Sequence, residues 1–244
     1  MGTIIELQNV RFIAEKQDIV KNLSCQFEEG KATALIGPSG GGKSTILKLA
    51  AGLLVPAQGA VYFRHEDIAL MNRKQTLNFR RQASVVFQDS ALWANQSLYQ
   101  NMELPLRIHF PQMPKQERDR RINEVLDEVG YQKDLMMRPS KLSMGEQKLI
   151  AFARAMLCRP VLIFLDEWTE SLDENAAQRL INIVKAHKDQ GHTIIFVNHD
   201  LRLVRYLADY VFMIASGVLS MKFTGTQLAS DMDLAQYIEK GIAS

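Results

Sequence analysis

The sequence predicts an α/β fold: a parallel sheet covered by helices on both faces, a small antiparallel sheet beside it, and a mainly helical insert. Three observations carry this. Val161-Leu162-Ile163-Phe164-Leu165 and Thr193-Ile194-Ile195-Phe196-Val197 are short and almost wholly apolar, with a helical segment from Ala176 to Ala186 between them. Continuous apolar strands alternating with helices are what a parallel sheet buried on both faces requires. Residues from about Ile4 to Phe27 instead alternate polar and apolar, the signature of strands with one face in water. Residues from about 90 to 158 change character again: Pro105, Pro111 and Pro114 are followed by Gln116 to Val129, where Ile122, Val125, Leu126 and Val129 fall at helical spacing.

The elements follow in order. Ile19, Leu23, Cys25 and Phe27 are spaced as in strands and, with Gly59-Ala60-Val61-Tyr62-Phe63, suggest the antiparallel sheet. Lys31 to Ile36 reads as a buried strand, Ile46 to Ala51 as a helix, and Ser84-Val85-Val86-Phe87 as another buried strand. Gln227 to Ser244 reads as a short helical tail, which leaves 1–226 as the main domain with the insert at about 90–158. A chain of 244 residues is enough for one large domain or a core with subdomains.

Composition narrows the classes of function. The net charge is +2, from 29 basic and 27 acidic residues, too balanced for nucleic acid as a main partner. Cys25 and Cys158 have no metal-ligand spacing and fit a reduced, cytosolic compartment. Met1 to Glu6 lacks the basic region and apolar run of a signal peptide, and Gly2 makes no convincing lipidation site. No uncharged apolar run approaches the ~18 residues that a bilayer span needs, so action at a membrane calls for a separate crossing subunit.

The chemistry is concentrated in Gly37-Pro38-Ser39-Gly40-Gly41-Gly42-Lys43-Ser44-Thr45, a glycine, four free positions, then Gly-Lys-Ser. A strand that turns into a helix through glycines leaves backbone N–H groups pointing into one concavity, where the helix end adds positive charge. Lys43 then reaches the outer phosphates of a nucleoside triphosphate, and the Ser44 hydroxyl ligates Mg²⁺. Asp166-Glu167 follow an apolar strand directly, at the edge where ligands sit in open α/β sheets. Asp166 is placed to share the Mg²⁺, and Glu167 to orient and activate the attacking water. His199 ends the next apolar strand and Gln88 ends the Ser84–Phe87 strand. The first could contact the γ-phosphate and the water, the second the metal or the water; read alone, both leave a structural role open. Ser143 and Glu146 make a capping box ahead of an apolar helix. The glycine between them, Gly145, costs helix stability and favours close approach of an anion to the helix end.

With these elements in this order, the chain resembles the ATP-binding cassette (ABC) family over nearly its full length. Gly37–Thr45 matches the Walker A loop and Gln88 the Q-loop. Leu142-Ser143-Met144-Gly145-Glu146-Gln147 matches the signature sequence, and Val161–Glu167 Walker B with its catalytic glutamate. Ser171-Leu172-Asp173 matches the D-loop, and His199-Asp200 the switch histidine. The resemblance implies a RecA-like phosphate-loop NTPase core and ATP as the nucleotide. It also implies a head-to-tail dimer in which Ser143 and Gly145 of one copy act on the other copy's γ-phosphate, and a membrane permease docked near Gln88 and Asp89 to Trp93. The place would then be the cytoplasmic side of the inner membrane. Three positions depart from the pattern: Met144 stands for a second glycine, Trp168 for a proline, and Ala14 for the aromatic residue that stacks on adenine, with Phe12 as its nearest substitute.

A finer resemblance rests on Phe87-Gln88-Asp89-Ser90-Ala91-Leu92-Trp93, on Asn101, on Leu104-Pro105-Leu106-Arg107 and on the tail Gln236 to Gly241. These are similar to the ATPase subunits of Mla-type lipid-transport systems, which implies phospholipid as cargo and an MCE-type lipid-binding protein as a further partner. A DNA-handling ABC ATPase would need a long coiled coil or zinc-binding cysteines, which this chain lacks. A soluble ATPase of iron–sulfur cluster assembly and an importer of another small substrate both stay open.

Overall fold

A computed structural model describes residues 2–230. The chain runs β1 (Thr3–Ala14), β2 (Gln17–Glu28), β3 (Ala32–Ile36), α1 (Lys43–Ala50), β4 (Gln58–Phe63), β5 (Glu66–Asp67), α2 (Arg73–Gln82) and β6 (Ala83–Val86). Three helices follow, α3 (Leu98–His109), α4 (Lys115–Val129) and α5 (Met144–Met156). Then come β7 (Leu162–Asp166), α6 (Glu174–Asp189), β8 (Thr193–Val197), α7 (Leu201–Leu207), β9 (Tyr210–Ala215), β10 (Val218–Thr224) and α8 (Gly225–Ser230). Of the expected helical tail, α8 holds the first residues; those from 231 on lie outside the described residues.

The strands form two sheets. A six-stranded sheet has the order β10-β9-β3-β8-β7-β6, and a four-stranded antiparallel sheet the order β2-β1-β4-β5. In the larger sheet β6, β7, β8, β3 and β9 run parallel, and only the edge strand β10 runs against its neighbour. Strands β3, β7 and β8 are buried at every residue. Successive side chains of a strand point to opposite faces. Ile163, Leu165, Ile194 and Phe196 therefore enter one core with residues of α3, α4, α5 and α6. Phe164, Ile195 and Val197 enter a second core with α1 and the antiparallel sheet. This double burial is why the strands read as unbroken apolar runs.

Pro105 lies inside α3. An internal proline costs a helix about 3 kcal/mol or more. Leu98, Met102 and Leu106 repeat every four residues and are all fully buried. Burial of such side chains contributes about 1.5–3 kcal/mol each, so packing outweighs the break.

At the end of α6, the Nδ1 atoms of His187 and His192 stand 2.8 Å apart. Burial lowers both imidazoles below their ordinary pKa, and the neighbouring ring adds to this at His187. In the unfolded chain each protonates near pH 6.5, before the folded form does. Stability is therefore fully present above about pH 6.5 and is lost as pH falls from there towards the folded values. The melting temperature should drop between pH 7 and pH 5 by more in the parent than in His187→Gln; equal drops would remove this pair from the acid sensitivity.

Candidate active site

The loop after β3 is shaped by what surrounds it. Gly37 has φ +138, and a Cβ there would stand 1.9 Å from the carbonyl oxygen of Ile214 on β9, so no side chain fits. The loop ends on Gly42, which caps α1 with φ 98 and supplies no side-chain acceptor. The first turn of α1 is thus left to an outside acceptor, at the end where the helix carries partial positive charge. The Lys43 ammonium curls over the loop and donates to the carbonyl oxygens of Gly37 at 2.9 Å and Pro38 at 2.7 Å. Burial pulls its pKa down, while Glu167 and Asp166 pull it up.

Ser44, the second residue of α1, donates its hydroxyl to Asp166 Oδ1 at 2.8 Å. Asp166 is the last residue of β7 and only 2 % exposed. Burial raises its carboxyl pKa, against the Ser44 hydrogen bond and the charges of Lys48, Lys148 and Lys43. Glu167 leaves the strand with φ 45, a left-handed backbone uncommon outside glycine, while its N–H donates to Val197 O at 3.2 Å. Its Oε2 lies 3.2 Å from His199 Nδ1 just past β8. Burial raises the Glu167 carboxyl pKa, and His199 opposes that rise. Two residues beyond β6, Gln88 donates its amide to Glu170 Oε2 at 3.1 Å, so its hydrogen bond goes to a carboxylate the sequence did not single out.

Ser44, Gln88, Asp166 and Glu170 line one cleft of about 600 Å³, with Met144 and Lys148 of α5. Ser143 caps α5, and the box with Glu146 is complete in both directions. Glu146 also pairs with Lys133, a contact that holds its carboxyl below the usual range together with the Ser143 hydrogen bonds. Gly145 has a reason within the chain: a Cβ there would stand 3.0 Å from Ser171 O. Close packing against the same chain is thus a second reason for a glycine there, beside the ligand approach that the sequence suggests.

The structure therefore brings Lys43, Ser44, Asp166, Glu167, His199 and Gln88 together around the uncapped end of α1, and sets the start of α5 beside the same cleft. Sequence reasoning missed Glu170, which carries no local signal, and Lys148. Lys148 is 3 % exposed and donates to Glu167 O at 2.7 Å. Its signal was present: it lies four residues before the buried Phe152, on a face that otherwise holds apolar residues.

The departures also find places. Trp168 is fully buried, with its ring edge-on to Phe196 at 5.6 Å. It anchors the residue after Glu167 by packing, where a proline would do so by its fixed φ. Met144 is 69 % exposed at the cleft. Phe12 pairs across to Val20 and packs partly buried against the second core. Its contacts are those of a core residue.

Around Ser44 and Asp166 the donors are a hydroxyl and a carboxylate, hard oxygens suited to Mg²⁺, which commonly takes one or two protein oxygens and fills its shell with phosphates and water. Among the described residues no group of three or more His, Cys, Asp or Glu could hold a metal by itself. No helix among them is long and apolar enough to cross a membrane.

Comparison with known proteins shows the family. The family model described as ABC transporter matches residues 20–170. The intermembrane phospholipid transport system ATP-binding protein MlaF of Haemophilus influenzae is 33 % identical over 232 residues, covering 95 % of this chain and 88 % of MlaF. The methionine import ATP-binding protein MetN of Clostridium acetobutylicum is 30 % identical over 217 residues, covering 88 % of this chain and 67 % of MetN. Among solved structures, the dimeric post-hydrolysis state of the ATP-binding cassette MJ0796 bound to ADP and Pi superimposes with a TM-score of 0.83 at 27 % identity, covering 91 % of this chain and 98 % of that one. A phosphate loop with its acidic partner strand, a signature helix beside the same cleft and a family match over more than half its length thus place this chain in the ABC transporter family, as an ATP-binding, ATP-hydrolysing subunit.

Proposed function

We propose that this chain drives a separate membrane permease that moves phospholipid. The observation that carries the site assignment is the Ser44–Asp166 contact in front of the uncapped α1, with Glu167 and His199 alongside. On this reading residues 1–226 form the ATP-binding domain, with its helical insert at about 90–158. Gly37 to Thr45 hold the phosphates, and Lys43 trades two loop carbonyls for the outer phosphate oxygens. Ser44, Asp166 and Gln88 hold Mg²⁺, which neutralises charge on the transferred group when bound. Glu167 takes the proton of the attacking water, favoured by the burial that makes its carboxylate a better base. His199 keeps that carboxylate oriented. Positioning and electrostatics of this kind are most of what phosphoryl transfer needs.

The cleft is finished by a second copy, whose Ser143 and Gly145 meet the γ-phosphate at the helix end that Glu146 caps; that MJ0796 is solved as a dimer bound to ADP and Pi supports a two-copy site. A nucleotide that binds the closed pair better than the open one shifts that population, and hydrolysis releases it. The permease contact falls near Asp89 to Trp93. There Arg154 of α5 donates to Ser90 O and Ala91 O, two residues in left-handed backbone, and so links that surface to the helix that Ser143 caps. The chain then sits in the cytoplasm against the inner membrane through its permease, with an MCE-type lipid-binding protein as a further partner. Phospholipid is favoured by the match to MlaF over 95 % of the chain. The test is reconstitution with a candidate membrane permease. The complex in lipid nanodiscs should hydrolyse ATP several-fold faster than the chain alone, and phospholipid should co-elute with it. A complex that responds to methionine and carries no lipid would replace the phospholipid reading with an import function like that named for MetN.

A further inference from the structure

The start of α5 and the segment after β7 touch at two points. Gly145 packs against Ser171 O, and one turn later the Lys148 ammonium donates to Glu167 O. A lysine this buried is rare and costly unless paired. Burial does pull its pKa down, and Glu170, Glu167 and Asp166 pull it up. The peptide between Glu167 and Trp168 is therefore held by a cation at its carbonyl and by the buried indole of Trp168 against Phe196. The residue so held has the left-handed φ of 45 and carries the carboxylate that meets His199. Left-handed backbone at a non-glycine residue persists only where its surroundings over-determine it.

We infer that Lys148 is a positioning residue for Glu167, holding the backbone of that residue so that its carboxylate faces His199 and the attacking water. The bond also ties the helix opened by Ser143 to the general base of the same chain. The inference deepens the proposed role of Glu167 and rests on it.

Lys148→Met keeps the length of the side chain and removes its donor. It should lower kcat by about 10- to 100-fold, the scale expected when a reacting group is displaced, with the Kd for ATP within about twofold of the parent. Lys148→Arg, which restores a cationic donor, should recover kcat to within about threefold. If Lys148→Met does not fold, Lys148→Gln takes its place. The decisive comparison is in a Glu167→Gln background, with residual turnover followed by single-turnover hydrolysis of labelled ATP. There Lys148→Met should change the rate by less than about twofold, because the group it positions is already gone. An equal loss in both backgrounds would make Lys148 a general structural residue and overturn the inference, as would a Lys148→Met protein with parental kcat. Glu167→Gln turning over like the parent would instead remove the general base itself.

Discussion

Glu167→Gln should bind ATP as the parent does and lose turnover by about 10²- to 10³-fold, within the range that a positioned general base contributes. The substitution keeps the shape of the side chain and its reach to His199, while removing the group that takes the proton. The hydrogen bonds that hold the phosphate loop and the metal donors do not involve that carboxylate. Ser44 and Asp166 bond to each other, and Lys43 is held by carbonyls of the loop. Folding should not suffer, because Glu167 is a carboxylate whose burial already disfavours its charged form. With hydrolysis blocked and binding intact, ATP should convert the protein to a stable dimer. Calorimetry, a steady-state phosphate assay and size-exclusion chromatography with and without ATP read the three parts. Turnover within a few-fold of the parent removes Glu167 from the chemistry, and tight ATP binding without dimer formation removes the two-copy site.

Lys43→Ala should weaken ATP binding by about 10- to 100-fold, since a hydrogen bond to a charged group contributes about 1.5–3 kcal/mol and each 1.4 kcal/mol is a factor of ten. The loss belongs to the nucleotide complex and not to folding, because the two bonds Lys43 makes within the chain are to carbonyls of its own loop. The melting temperature without nucleotide should therefore shift far less than the affinity. Lys43→Arg should fail to restore binding, because a planar guanidinium is larger than the compact ammonium that fits between the loop and the phosphates. Unchanged affinity in Lys43→Ala, measured by calorimetry, would end the phosphate-loop assignment.

Much of the architecture was legible because burial on both faces leaves a strong trace. β3, β7 and β8 read as strands from their apolar runs alone, and α4 and α6 from their spacing. Other elements left no such trace. α2 buries only Phe79, so it lacks an apolar stripe, although its Asn72–Gln75 capping box marks where it starts. The β9–β10 hairpin turns through Ser216-Gly217, and the β1–β2 and β4–β5 hairpins turn through Glu15-Lys16 and Arg64-His65. All six residues have positive φ, as two-residue hairpins require, yet none of the three pairs is the Asn-Gly or Asp-Gly that announces such a turn. Pairing of the strands imposes those conformations against local preference. α3 runs through Pro105 for the same kind of reason, with its buried face outweighing the break.

The candidate site divides along the same line. The loop from Gly37 to Thr45 and the Ser143–Glu146 cap are local: turn geometry, helix polarity and capping act over a few residues, so the sequence by itself determined them. It also determined the order of strands and helices that makes this an α/β ATPase of the ABC family. Which groups meet was decided only by the tertiary structure. Ser44 and Asp166 are 122 positions apart, and Glu167 touches His199 at 32 and Lys148 at 19. Gln88 reaches Glu170 over 82. Such contacts depend on sheet register and helix packing, which set distances between segments that no local pattern encodes. A lysine's burial, a glutamate's left-handed backbone and the carbonyl that joins them exist only once β7, β8 and α5 are packed.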